Sequence, residues 1–180
     1  MSTVAYITAI TIGIFSVSML SSNAAANQTA LPVAAPIEQP NPLVDLKDAK
    51  ELTATELIEL LAAVGFEDKA LKTAWAVAMR ESVGHPTSHN TNASTGDNSY
   101  GLFQINMIGS MGVERLAKFK DKIGITKAAD LLDPVANAKA AYYMTDGGKD
   151  WGSWGLGPNA YDGSANEPAV TRWLAYFPKS

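Results

Sequence analysis

The sequence predicts a mainly α-helical domain carried behind an apolar N-terminal segment and a proline-rich linker. Three observations predict it. Apolar residues recur at helical spacing in several separate stretches, most clearly Leu57, Leu60, Leu61 and Val64. Helix starts are written as a Thr53 to Glu56 capping box and as Asp133 followed by Pro134. Only the region from about Asn90 to Ile105 leaves room for strands, and there for at most a short hairpin.

At the N-terminus, Val4 to Leu20 is uncharged and mostly apolar, and Ser21 to Ala26 is made of small residues with Ala24 and Ala26 placed as a signal peptidase accepts them. Residues 1–26 therefore read as a signal peptide or a retained signal-anchor. The run is short for a span of about 20 residues and no Lys or Arg precedes it, so a virion protein whose apolar end meets a host membrane or its neighbours is a third reading. Residues 27–51 follow as a linker. Pro32, Pro36, Pro40 and Pro42, set among Ala, Asn and Gln, disfavour helix and favour an extended spacer. The folded domain is expected over residues 52–180.

In that domain the first helix runs from the capping box to Gly65. The second is expected to start near Asp68 as its cap and to be apolar around most of its girth from Ala70 to Met79, as a helix inside a core would be. Ala70, Ala74, Val77 and Glu81 share one of its faces. A carboxyl group that continues a buried face is desolvated, which raises its pKa and suits it to proton donation. Alone, a Glu beside Arg80 at a helix end is ordinarily a solvated charge. The segment C-terminal to Glu81 sets it apart.

From His85 to Asn98 nearly every residue is Pro, Ser, Thr, Asn, Gly, His or Asp, which predicts a loop. It leads into Ser99-Tyr100-Gly101-Leu102-Phe103-Gln104-Ile105-Asn106, an apolar stretch interrupted by an amide. A helix is expected over Met111–Phe119 and another from Asp133 to about Met144, stopped by Gly147 and Gly148. Trp151, Trp154 and Tyr161 stand in a glycine-rich stretch, and Val170, Trp173, Leu174 and Phe177 make a last amphipathic stripe ending at Pro178. Trp154 reads as core.

The 180 residues carry a net charge of −4 with scattered basic residues, which gives no basis for nucleic-acid binding. There is no cysteine, so disulfides and thiolate metal sites are excluded. His85 and His89 are four apart, but Pro86 removes the helix on which that spacing would make a metal site. No metal and no cofactor are expected.

Glu81-Ser82, the Ser99–Asn106 segment, Leu132-Asp133-Pro134 with Asn137-Ala138, and Trp151 to Trp154 leading to Tyr161 together resemble the lysozyme superfamily, most closely lytic transglycosylases and goose-type lysozymes of bacteria and phage virions. The resemblance spans about Leu52 to Phe177. It implies an α+β lysozyme-like fold, peptidoglycan glycan strands as substrate, and Glu81 as the catalytic acid and base. It implies further that Ser99, Tyr100, Gln104 and Asn106 border the sugar and that Tyr161 touches the sugar or the carboxylate. In animal-type lysozymes an Asp precedes the Tyr-Gly pair, whereas this chain has Ser99, with Asp97 two residues earlier. A two-carboxylate retaining mechanism needs its carboxyl groups about 5 Å apart. One catalytic carboxylate is therefore expected, with 1,6-anhydromuropeptides as products. Hydrolysis with Asp97 positioning the water is the alternative. A virion or wall-binding protein with this fold and little activity is another, against which the presence of Glu81 argues. An exported or virion-borne location is implied by the same reading, with residues 4–20 contacting membrane or phage components as partners.

Overall fold

The computed structural model describes residues 39–92, 94–157, 160 and 167–179; the apolar segment, most of the linker and Tyr161 lie outside them. Six helices and a small antiparallel sheet form the described domain, in the order α1 (Pro42–Asp45), α2 (Ala54–Val64), α3 (Asp68–Ser82), β1 (His89–Asn92), β2 (Asp97–Tyr100), β3 (Ile105–Asn106), α4 (Gly109–Ile123), α5 (Pro134–Met144) and α6 (Pro168–Leu174). The mainly α, α+β expectation holds.

Local signals account for most helix ends. Thr53 and Glu56 close the capping box in both directions, with the Thr53 N–H donating to Glu56 Oε2 at 2.7 Å and the Glu56 N–H donating to Thr53 Oγ1 at 3.2 Å. The helix then buries Leu57, Leu60 and Leu61, each worth about 1.5–3 kcal/mol when removed from water, and stops at Gly65. Asp133 Oδ1 accepts the Ala136 N–H at 2.7 Å and opens α5 ahead of Pro134. Helix α3 differs from expectation at its start. Glu67 is its N-cap without a side-chain bond, and Asp68 is its first residue, with φ of 45°. Its interior, Thr73 to Ala78, is buried as the apolar run predicts.

The region from about Asn90 to Ile105, the one place expected to hold a short hairpin, carries a three-stranded sheet, so part of the expected His85–Asn98 loop is strand. β1 pairs antiparallel with β2, His89 facing Tyr100 and Asn92 facing Asp97, and β2 pairs with β3, Ser99 facing Asn106. All four residues of β1 are exposed, so no apolar alternation announces it. Cross-strand partners hold it instead: the His89 ring stacks on Tyr100 at 4.1 Å between centroids, and Asn90 Nδ2 donates to Asp97 Oδ2.

The end of the expected spacer also docks. Asn41 caps α1 with Pro42 at its start, a position where proline fits a helix. Leu43 and Leu46 pack on the core and the Asp48 N–H donates to Asp133 Oδ2 at 2.7 Å. Among the described residues no helix is long and apolar enough to cross a membrane; residues 4–20 are outside them.

The core that supports the site is aromatic. Phe66, Phe103, Trp151 and Trp154 form a connected cluster of rings, and Trp75 of α3 meets Trp173 and Phe177 edge-on.

Candidate active site

Glu81 stands one residue before the end of α3. The helix is stopped there by Val83, which sits in the left-handed region at φ 55° although it is β-branched, a strained choice for that conformation. Ser82 is buried, and its Oγ donates to Ala78 O at 3.2 Å and to Leu102 O at 2.8 Å. That second bond ties the end of α3 to the Gly101–Gln104 turn and fixes where Glu81 projects.

A cleft of about 420 Å3 opens in front of Glu81. Gln104, Asn106, Met111, Arg115 and Trp154 are among its walls, together with Arg80. Glu81 is the one carboxylate among the described residues that line it. Its side chain is 23% exposed, so it is not the fully desolvated group that the buried face of α3 predicts. The helix ends before that face closes over it, and Arg80 comes round to meet it. Arg80 Nε donates to Glu81 Oε1 at 2.8 Å and Nη2 bonds the same oxygen. Oε2 has no partner among the described residues.

Gln104 reaches the cleft from a left-handed backbone, φ 44°, and its Nε2 donates to Ser88 O at 3.1 Å and Gly101 O at 3.0 Å. Only its Oε1 lacks a partner among the described residues. Asn106 is more fully engaged. Its Oδ1 accepts the N–H groups of Asn98 and Ile108, its Nδ2 donates to Gly96 O at 3.1 Å, and its carbonyl accepts from Arg115 Nη1.

The other expected residues are not in this wall. Ser99 is buried, its Oγ donating to Asp97 Oδ1. Tyr100 is half-buried against His89. Asp97 is held on both oxygens, by Ser99 and by Asn90, and does not line the cleft. Tyr161 lies outside the described residues.

Two residues that carry the site were assigned no role from the sequence, although Asn137 belongs to the motif set that carries the family resemblance. Asn137 is fully buried; its Oδ1 accepts the Phe103 N–H at 2.9 Å and its Nδ2 donates to Tyr100 O at 2.9 Å and Leu131 O at 2.8 Å. It thereby holds the Tyr100–Phe103 turn from α5. A Cβ on Gly101 would lie 2.2 Å from Leu131 O and 2.3 Å from Asn137 Nδ2, so this turn admits only glycine. Arg115 is the other, brought to the cleft by α4. Trp154 is core and wall at once, its Nε1 donating to Phe103 O at 2.9 Å.

A helix-borne glutamate over a three-stranded sheet, facing a cleft built from the turn after it, is the arrangement of a lysozyme-like domain. The chain belongs to that family: the model described as "Lysozyme like domain" matches residues 58–156, more than half of the chain, and takes in Glu81, the sheet, Arg115 and Trp154. Membership supports a glycosidase that acts on peptidoglycan. No curated protein and no solved structure matches the chain.

Proposed function

We propose that this protein is a lytic transglycosylase that cleaves the β-1,4 bond between N-acetylmuramic acid and N-acetylglucosamine with Glu81 as its single carboxyl catalyst. The observation that supports this reading is the make-up of the cleft, in which Glu81 is the one carboxylate among the described residues. Arg80 occupies Oε1, so Oε2 carries the transferred proton. In its acid form Glu81 gives that proton to the glycosidic oxygen as the bond to C1 of the muramic acid breaks. The substrate's own acetamido oxygen stabilises the cation at C1. Oε2 then takes the proton from the 6-hydroxyl as O6 bonds to C1 and closes the anhydro ring. Atoms balance without water. Gln104 Oε1 is the wall acceptor available to a sugar hydroxyl or amide N–H.

Asp97 does not line the cleft, which favours this route over hydrolysis. We further propose that residues 1–26 direct export or anchoring and that the proline-rich segment spaces the domain from the membrane or particle; fractionation that finds the full-length chain wholly cytosolic with an intact N-terminus would refute this.

Digestion of purified peptidoglycan followed by mass spectrometry tests the reaction. Anhydromuropeptides, lighter by one water than hydrolytic products, are expected. Reducing-end muropeptides alone would transfer the assignment to a hydrolytic muramidase, with Asp97→Asn the variant to examine next.

A further inference from the structure

The cleft in front of Glu81 continues along α4. Met111, Arg115, Met144 and Ser153 line it and also line a second cavity of about 410 Å3, which runs on to Lys118 and Tyr143 with Glu114 beside them. The shared walls make this one groove with Glu81 toward one end. Two of its side chains are apolar and open to solvent, Met111 at 43% and Tyr143 at 37% exposure. Tyr143 is steadied edge-on against buried Phe119, with centroids 6.2 Å apart.

The charges in the groove do not cancel. Arg115 is half-buried and spends one Nη1 hydrogen on the Asn106 carbonyl; no carboxylate pairs with it among the described residues. Lys118, one turn further along α4 and exposed, has no acidic partner among them either. Glu114 is exposed and offsets only one of these two cations. A partly desolvated guanidinium without an acid is costly, and an arriving anion relieves that cost. Burial accordingly pushes the Arg115 pKa below its usual value.

We propose that this extension binds the peptide stem of peptidoglycan through a stem carboxylate placed between Arg115 and Lys118, so that the enzyme favours peptide-bearing strands over bare glycan. The inference rests on the reading of the Glu81 cleft as the glycan site. The stem hangs from the muramic acid whose bond is cleaved, and the two cavities share four residues, so glycan and stem occupy adjoining parts of one groove. Tyr143 and Met111 supply apolar surface to its alkyl groups.

Calorimetric titration of the full chain with a free stem tetrapeptide, and with the same peptide bearing carboxamides in place of its carboxylates, tests the site without any cleavage. The acid peptide should bind more tightly than the amide, and added salt should narrow the difference. Lys118→Gln should weaken binding of the acid peptide about threefold to tenfold, as expected for a solvent-accessible charge pair, while Glu114→Gln should tighten it. Both positions are exposed, so loss of folding is not at issue. Equal affinity for the two peptides, or no binding at millimolar concentration, would overturn the proposal. Strand cleavage without peptide binding would remove this site and leave Glu81's assignment standing; peptide binding without cleavage would do the opposite.

Discussion

Arg80 Nε donates to Glu81 Oε1 at 2.8 Å although the two residues are adjacent on α3 and adjacent helical side chains do not normally face each other. The guanidinium turns back because its other nitrogens are held elsewhere: Nη2 donates to the Trp154 carbonyl at 3.1 Å and Nη1 reaches Glu167 Oε2 at 3.4 Å. One arginine thus joins the Glu81 end of α3 to the Trp154 turn and to the start of α6. Part of what orients Glu81 lies outside the match to the family model, because Glu167 lies beyond residue 156.

Arg80→Ala should lower kcat about tenfold to a hundredfold, the penalty of a slightly misplaced catalytic group, and should leave KM nearly unchanged. Loss of its charged hydrogen bonds should cost about 1–3 kcal/mol in urea denaturation. Arg80→Lys should recover part of the stability and little of the rate, since an ammonium cannot fork between Glu81 and Trp154. A rise in KM with unchanged kcat would instead make Arg80 a substrate-binding group.

Glu81→Gln should abolish wall lysis with the fold intact. The amide is nearly isosteric but has no proton to give, and proton transfer of this kind contributes roughly 10² to 10⁴-fold. Matching thermal stability together with more than about a tenth of the wild-type lytic rate would exclude Glu81 as the acid.

Glu167 makes stability pH-dependent. Partial burial pushes its carboxyl pKa up, but the N–H groups of Val170 and Ala169 and the Arg80 guanidinium outweigh that, and the net shift is downward. A carboxylate lowered in the folded state contributes stability that is fully present above its unfolded pKa of about 4.3 and disappears as pH falls through the folded value. Melting temperatures from pH 7 to pH 3 should therefore fall in the acid range. Glu167→Gln should start lower at pH 7 and show a flatter acid decline.

Asn137→Ala should destabilise the domain by about 3 kcal/mol or more, because it strands the Phe103 N–H and the Tyr100 and Leu131 carbonyls in the interior. Asn137→Asp would keep the acceptor and lose the two donated bonds, so denaturant midpoints should rank wild type above both variants. Activity should fall with them, since this side chain holds the turn that carries Gln104.

Removal of residues 1–38 should leave a soluble, active domain. Removal through Glu51 should not be silent: it takes away Leu43 and Leu46 and the Asp48 bond to Asp133, about 2–3 kcal/mol by the apolar surface uncovered. Comparing the two truncations by thermal melting separates the spacer from the part that docks.

The sequence by itself determined helices α2 to α6 and picked out the segment around Glu81 on which the family resemblance rests, while α1 fell in the expected spacer. Thr53 with Glu56, Asp133 with Pro134 and the apolar run before Glu81 act within one or two turns of chain, so their effect is written in neighbours and can be read there. Strand β1 was not legible in that way, since four exposed polar residues become a strand only when β2 supplies their partners. Tertiary structure alone decided that Ser99 and Asp97 bond to each other outside the cleft wall, that Asn137 of α5 secures a turn 34 to 37 residues earlier, and that Arg80 faces Glu81. It also decided that Arg115 enters the groove. Asn137 finds partners far away in the chain, and Arg80 meets its neighbour Glu81 while Trp154 and Glu167, 74 and 87 residues on, hold its other nitrogens; no local pattern encodes which partner a polar side chain will find once water is excluded.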